Sequence, residues 1–88
     1  MYVFIGYDGP QGQELRKIHR EAHLAKLRDL SKAGKVELAG PFKDGSGSLI
    51  VYNAATKTEV ELIAKTDPYV MHLVFERYEI RPFEKVLP

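Results

Sequence analysis

The chain has 88 residues, 44% hydrophobic and 28% charged, with thirteen basic side chains against twelve acidic ones and no cysteine. Such a length makes one domain over residues 1–88 with a modest core, burying about 60–65% of the surface its unfolded form exposes, and the composition excludes disorder and low complexity. The interleaved charges exclude a nucleic-acid or anionic-lipid footprint and point to neutral or small partners, while the missing cysteine excludes disulfides, thiolate chemistry and cysteine-ligated metals.

Met1 to Ile5 opens into an apolar run with no basic lead and is cut short by Gly6-Tyr7-Asp8-Gly9-Pro10, unlike a signal peptide or a membrane span. A cytoplasmic location is therefore expected. Tyr2 to Tyr7, rich in β-branched and aromatic residues, predicts a central strand buried on both faces.

From about Gln13 to Ala33, Leu15, Ile18, Ala22, Leu30 and Ala33 fall on one side at helical spacing, with Leu27 at the edge and Gly34 as a stop. The runs Val36 to Phe42 and Ser48 to Tyr52 read as a hairpin around Lys43-Asp44-Gly45-Ser46-Gly47, where both glycines are expected in the turn. Thr56 or Thr58 can cap a second helix through about Ala64, and Asp67-Pro68 reads as an N-cap followed by proline at the first position of a short further turn. Val74 to Phe83 alternates as a last strand.

The order βαββαβ is the α+β, ferredoxin-like plan: a four-stranded antiparallel sheet with two helices on one face. Yet Tyr2, Val3, Phe4, Ile5, Leu49, Ile50, Val51 and Tyr52 offer apolar side chains to both faces. The uncovered face calls for a partner, and a homodimer packed sheet to sheet, the dimeric α+β barrel, would supply it. A monomer screened by its long C-terminal segment is the alternative.

Arg20-Glu21-Ala22-His23-Leu24, Ala39-Gly40-Pro41, Thr66-Asp67-Pro68-Tyr69 and Ile80-Arg81-Pro82-Phe83-Glu84-Lys85-Val86 occur in this order, and together they resemble the YciI-like (YCII) family over essentially the full length. The resemblance implies the same fold, dimers through the sheet and a site centred on a histidine and an aspartate, which map onto His23 and Asp67. One similar member type removes chloride from a chlorinated hydroxyhydroquinone, which suggests small cyclic or aromatic substrates. Glu21 stands where the family often has proline, and an extra His19 precedes the motif.

His23 is placed toward one edge of the helix's apolar face, so its imidazole is aimed at the junction of helix and sheet, where it can exchange a proton near neutral pH while a carboxylate fixes its tautomer. Asp67 can cap the turn with one oxygen and face the imidazole with the other. Arg20, three residues from His23, can clamp a phenolate or other anion, and His19 and Tyr69 complete the candidate substrate contacts. His19 and His23 could chelate a divalent ion with Asp67 or His72, but His-Arg-Glu-Ala-His is not the zinc-protease spacing, and neither metal nor cofactor is assigned. Asp8-Gly9-Pro10-Gln11-Gly12 lacks the spacing of a phosphate loop, and Tyr7, Tyr52, Tyr69 and Tyr78 suit either a pocket or an interface. These readings converge on a cofactor-independent lyase, isomerase or dehydrochlorinase-like enzyme with a His-Asp centre; the alternative is a non-catalytic small-ligand-binding or interaction module.

Overall fold

The uninterrupted β-branched and aromatic run forms β1 (Tyr2–Asp8), and the bend through Gly9 and Pro10 leads into α1 (Gly12–Lys32) in the computed structural model, which describes residues 1–88. Gly34, at φ +76, turns the chain tightly into β2 (Val36–Pro41), which hairpins into β3 (Gly47–Tyr52). Thr56 accepts a hydrogen bond from the Glu59 amide and starts α2 (Lys57–Lys65). Asp67 caps α3 (Pro68–Met71) by accepting from the Tyr69 amide, with Pro68 at the first position, and β4 (Phe75–Pro82) closes the sheet.

The strands lie in the order β2-β3-β1-β4 and every neighbouring pair is antiparallel, so the fold is α+β and ferredoxin-like. Register sorts the side chains: Phe4 lies opposite Ile50 and Ile80, and Tyr2 opposite Tyr52, all facing the helices. The core joins Phe4, Ile50, Tyr52 and Phe75 of the sheet to Val60 and Ala64 of α2, Tyr69 of α3, Leu27 of α1 and Val74. Each of the fully buried aliphatics Ile50, Val60 and Val74 contributes about 1.5–3 kcal/mol relative to an exposed side chain.

Three expectations from the sequence need correction. The inner stripe of α1 runs through Gly12, Arg16, His19, His23, Leu27 and Leu30, whereas Ile18, Ala22 and Ala33 are exposed, because polar side chains with partners beneath them occupy the inward positions. His23 and Leu27 are thus central on that face. Gly45 does hold a turn φ of +78, but Gly47 is the first residue of β3. A side chain at Gly47 would put its Cβ 1.9 Å from the Gly6 carbonyl oxygen, so the need there is close approach of two backbones.

The helix-free face also differs from a continuous apolar surface. Val3, Ile5, Leu49 and Val51 lie together on it, but β4 adds Arg77, Glu79 and Arg81 opposite Tyr7, Ile5 and Val3. The Arg77 guanidinium sits 3.8 Å over the Tyr7 ring, whose hydroxyl donates to Glu79. The C-terminal segment joins the sheet's two edges: the Phe83 amide donates to the Met1 carbonyl, and Lys85 reaches Glu37 of β2 at 2.8 Å. Val51 is only 5% exposed. No helix is long and apolar enough to cross a membrane.

Candidate functional site

Asp67 is fixed by its capping duty, which holds its carboxylate beneath α1. The His23 Nδ1 lies 2.8 Å from Asp67 Oδ1, and both side chains are buried. The same oxygen also receives the Tyr69 amide at 2.8 Å, where the sequence suggested that the two oxygens would divide these roles. With a carboxylate as acceptor, Nδ1 carries the proton, and the lone pair of the neutral ring falls on Nε2. No buried side-chain nitrogen or oxygen lacks a partner, and Nε2 has none in the protein, so it keeps some exposure on a side chain that lines the cleft.

Tyr69 holds the ring from one side, with the His23 and Tyr69 planes stacked at 3.8 Å and 5°. Its phenol is 3% exposed by residue, and burial pushes its pKa upward against the pull of Arg16 and Arg20, so it stays protonated at neutral pH. Lys26 ties α1 to the end of α2 by donating to the Ile63 carbonyl and the Thr66 hydroxyl. Burial lowers its pKa, partly offset by Asp67.

A second buried cluster lies beside the first and was not foreseen. Arg16 grips Asp8 with two hydrogen bonds of 2.8 Å, donates to Ser48 Oγ at 3.0 Å and lies 5.1 Å from the Tyr69 ring centroid. The bond to Asp8 raises the Arg16 pKa despite partial burial. This pair spans the turn between β1 and α1 and closes against Ser48 of β3, a meeting that no local motif announces. Asp8 is therefore a structural partner of Arg16, and the Asp8 to Gly12 stretch does not line the cleft.

The cleft, about 970 Å³, runs between α1 and the β2–β3 hairpin. It brings together His23, Tyr69 and Arg20, with Asp67 directly behind the histidine. It does not include His19. One residue before Arg20, His19 lies roughly 100° away around the helix, and its ring stacks on His72 at 3.9 Å and 1° on the flank facing α3. Tyr52 is in the core, Tyr78 stacks on Phe4, and Tyr7 belongs to the helix-free face, so Tyr69 is the single tyrosine in the cleft. No three histidine, aspartate or glutamate side chains converge as a ligand set.

The charge of the cleft also departs from the balanced chain. Five cations line it, Arg16 paired with Asp8, Lys17 paired with Glu14, and Arg20, Arg28 and Lys43 without ion-pair partners, against Glu37 as the single carboxylate, which is already paired with Lys85. This favours an anionic ligand over the neutral one suggested by the evenly mixed sequence.

Residues 1–84 match the model of the YCII-related domain. The protein YciI of Escherichia coli is 30% identical over 96 aligned positions, covering 98% of each chain, and the Shigella flexneri protein of the same name matches equally. An uncharacterised Haemophilus influenzae protein is 30% identical over 95 positions, covering 97% of both. Among solved structures, the 5-chloro-2-hydroxyhydroquinone dehydrochlorinase of Burkholderia phenoliruptrix, in complex with 2,5-dihydroxybenzoquinone, superposes with a TM-score of 0.85 at 24% identity, covering 94% of this chain and 92% of that one. At that identity the likeness establishes a common fold.

Proposed function

This chain belongs to the YCII-related domain family, and on that premise we propose that it is a cofactor-independent acid–base enzyme acting on a small anionic, cyclic or aromatic compound. The observation that carries this reading is the buried 2.8 Å contact between His23 Nδ1 and Asp67 Oδ1, which leaves Nε2 as the proton-accepting atom at the cleft. His23 is the general base; Asp67 is the positioning residue that sets its tautomer. The Arg20 guanidinium and the Tyr69 hydroxyl receive the substrate's oxygen.

In the step itself, Nε2 takes a proton from a hydroxyl or carbon of the substrate, and the electron pair of the broken bond passes into the conjugated ring. There a ring carbon takes up a proton to give the keto tautomer, which is the product of an isomerisation; where that carbon carries chlorine, loss of a second hydroxyl proton to the base expels chloride and leaves a quinone. The imidazolium then returns its proton to water or to the substrate. The dehydrochlorinase that shares the fold makes the second outcome the natural one to assay.

Chloride release from 5-chloro-2-hydroxyhydroquinone tests this directly. The expected result is turnover that falls by at least about 10² in His23→Gln with the fold retained. Turnover insensitive to His23 would reject the assignment, and ligand-induced stabilisation without turnover would favour the non-catalytic binding module.

Association as a homodimer in the cytoplasm belongs to the same proposal. It is supported by the half-buried apolar side chains Val3, Ile5 and Leu49 on the helix-free face, where a second sheet would pack. Light scattering at micromolar concentration should give twice the chain mass, and a monomer would remove this part.

A further inference from the structure

The cleft is far roomier than one six-membered ring requires, since pockets of roughly 300–1,000 Å³ hold drug-sized ligands. Its lining is also polarised along its length. β2 runs back from the end of α1 toward its start, and Gln13 bonds to the Gly45 carbonyl, so the hairpin turn with Lys43 sits at the N-terminal end of the helix, about two turns before Arg20. Neither Arg20 nor Lys43 has an ion-pair partner. Farther along, Leu24 and Leu27 of α1 and Val36 of β2 line the cleft, where Ile50 is fully buried. At that far end Arg28, which also has no ion-pair partner, shares the wall with Glu37, whose charge Lys85 cancels.

We propose that the ligand is an amphipathic acid longer than one ring, with its anionic head between Arg20 and Lys43 and its apolar body along Leu24, Leu27 and Val36. His23 stands at the join, adjacent to Leu24 and one helical turn from Arg20, so the bond that reacts lies next to the head. The assignment deepens the reading of the cleft as the substrate site and rests on it, but it concerns recognition and stands apart from the His23 chemistry. Arg20 and Lys43, two of the three unpaired cations of the cleft, recognise a carboxylate, sulfonate or phosphate by charge, while the apolar lining removes the body from water.

Calorimetric titration at fixed ionic strength with benzoate, biphenyl-4-carboxylate and 4-biphenylmethanol separates head from body. Biphenyl-4-carboxylate should bind at least tenfold more tightly than either of the others. The double variant Arg20→Gln/Lys43→Gln should lose the preference for acid over alcohol and keep the preference for biphenyl over benzoate, and Lys32→Gln, an exposed cation outside the cleft, should change neither. Equal binding of acid and alcohol to the wild type, a preference that survives the double variant, its loss in Lys32→Gln, or no binding below millimolar concentration would each overturn the proposal. Chloride release that ignores His23 would sink the catalytic reading and leave this preference standing, so the two failures are distinguishable.

Discussion

The two helical seams above the sheet are built on opposite principles. Beneath α2, Val60 and Ala64 pack at 0% and 1% exposure against apolar neighbours including Tyr52 and Val74, and hydrogen bonds serve only the helix ends. Beneath α1 and α3, the buried contacts are His23 to Asp67 and Arg16 to Asp8 and Ser48, and Leu27 is the one α1 side chain in the central cluster. Aliphatic burial stabilises, whereas a buried polar or ionic pair roughly breaks even against its desolvation. The α2 seam therefore supplies stability, and the α1 seam fixes side-chain geometry at the edge of an open cleft.

Breaking the polar seam should produce the largest effect. Asp67→Ala removes the cap of α3 and leaves the His23 Nδ1–H without an acceptor, at a combined cost of about 2–4 kcal/mol, a large share of what a chain of this size has to lose. Chemical denaturation would measure it. Asp67→Asn keeps an acceptor for the Tyr69 amide, so it should retain most of the stability while turnover falls; equal stability loss in both variants would mean that the carboxylate charge, not the cap, holds the turn.

Next comes Gly47, at the hairpin end of the cleft. Gly47→Ala must push two strands apart and should cost about 2–3 kcal/mol, while Gly45→Ala, strained only by its φ of +78, should cost about 1 kcal/mol. Reversal of that order in urea unfolding would contradict the close approach. On the apolar seam, Val60→Ala should lose about 2 kcal/mol through the cavity it leaves and have no effect on ligand affinity. A weakened ligand in that variant would show that the two seams are coupled.

This division explains what could be read from the sequence. The Thr56 and Asp67 caps, the proline after Asp67 and the strand runs are local signals, and they located every element of the fold. The inner face of α1 was not local. Periodicity drew attention to Ile18, Ala22 and Ala33, but Arg16 and His23 turn inward because Asp8, Ser48 and Asp67 wait beneath them. His19 and Arg20 look equivalent in the chain yet diverge around the helix, one onto His72 and one into the cleft. The basic lining is invisible for the same reason: charges interleaved along the chain are separated only once α1 and the hairpin face each other.

The smallest effect should come from the exposed start of α2, where electrostatics act without burial. Glu59 receives Lys35 Nζ at 2.6 Å and the Ala55 amide at 3.3 Å, and these contacts, the Lys35 bond first, hold its pKa below the ordinary glutamate value. A carboxylate whose pKa is depressed on folding contributes stability that is present above its unfolded value and is lost as pH falls through the folded one. Glu59→Gln keeps an acceptor for the Ala55 amide and removes the charge. The unfolding midpoint of the wild type should therefore exceed that of the variant slightly at neutral pH, and the gap should close as pH falls below the ordinary glutamate range. High salt should shrink the gap at neutral pH as well, because the pair is open to solvent. A gap that stays constant across this range would show that Glu59 acts as a neutral hydrogen-bond acceptor and that the Lys35 pair adds nothing to folding.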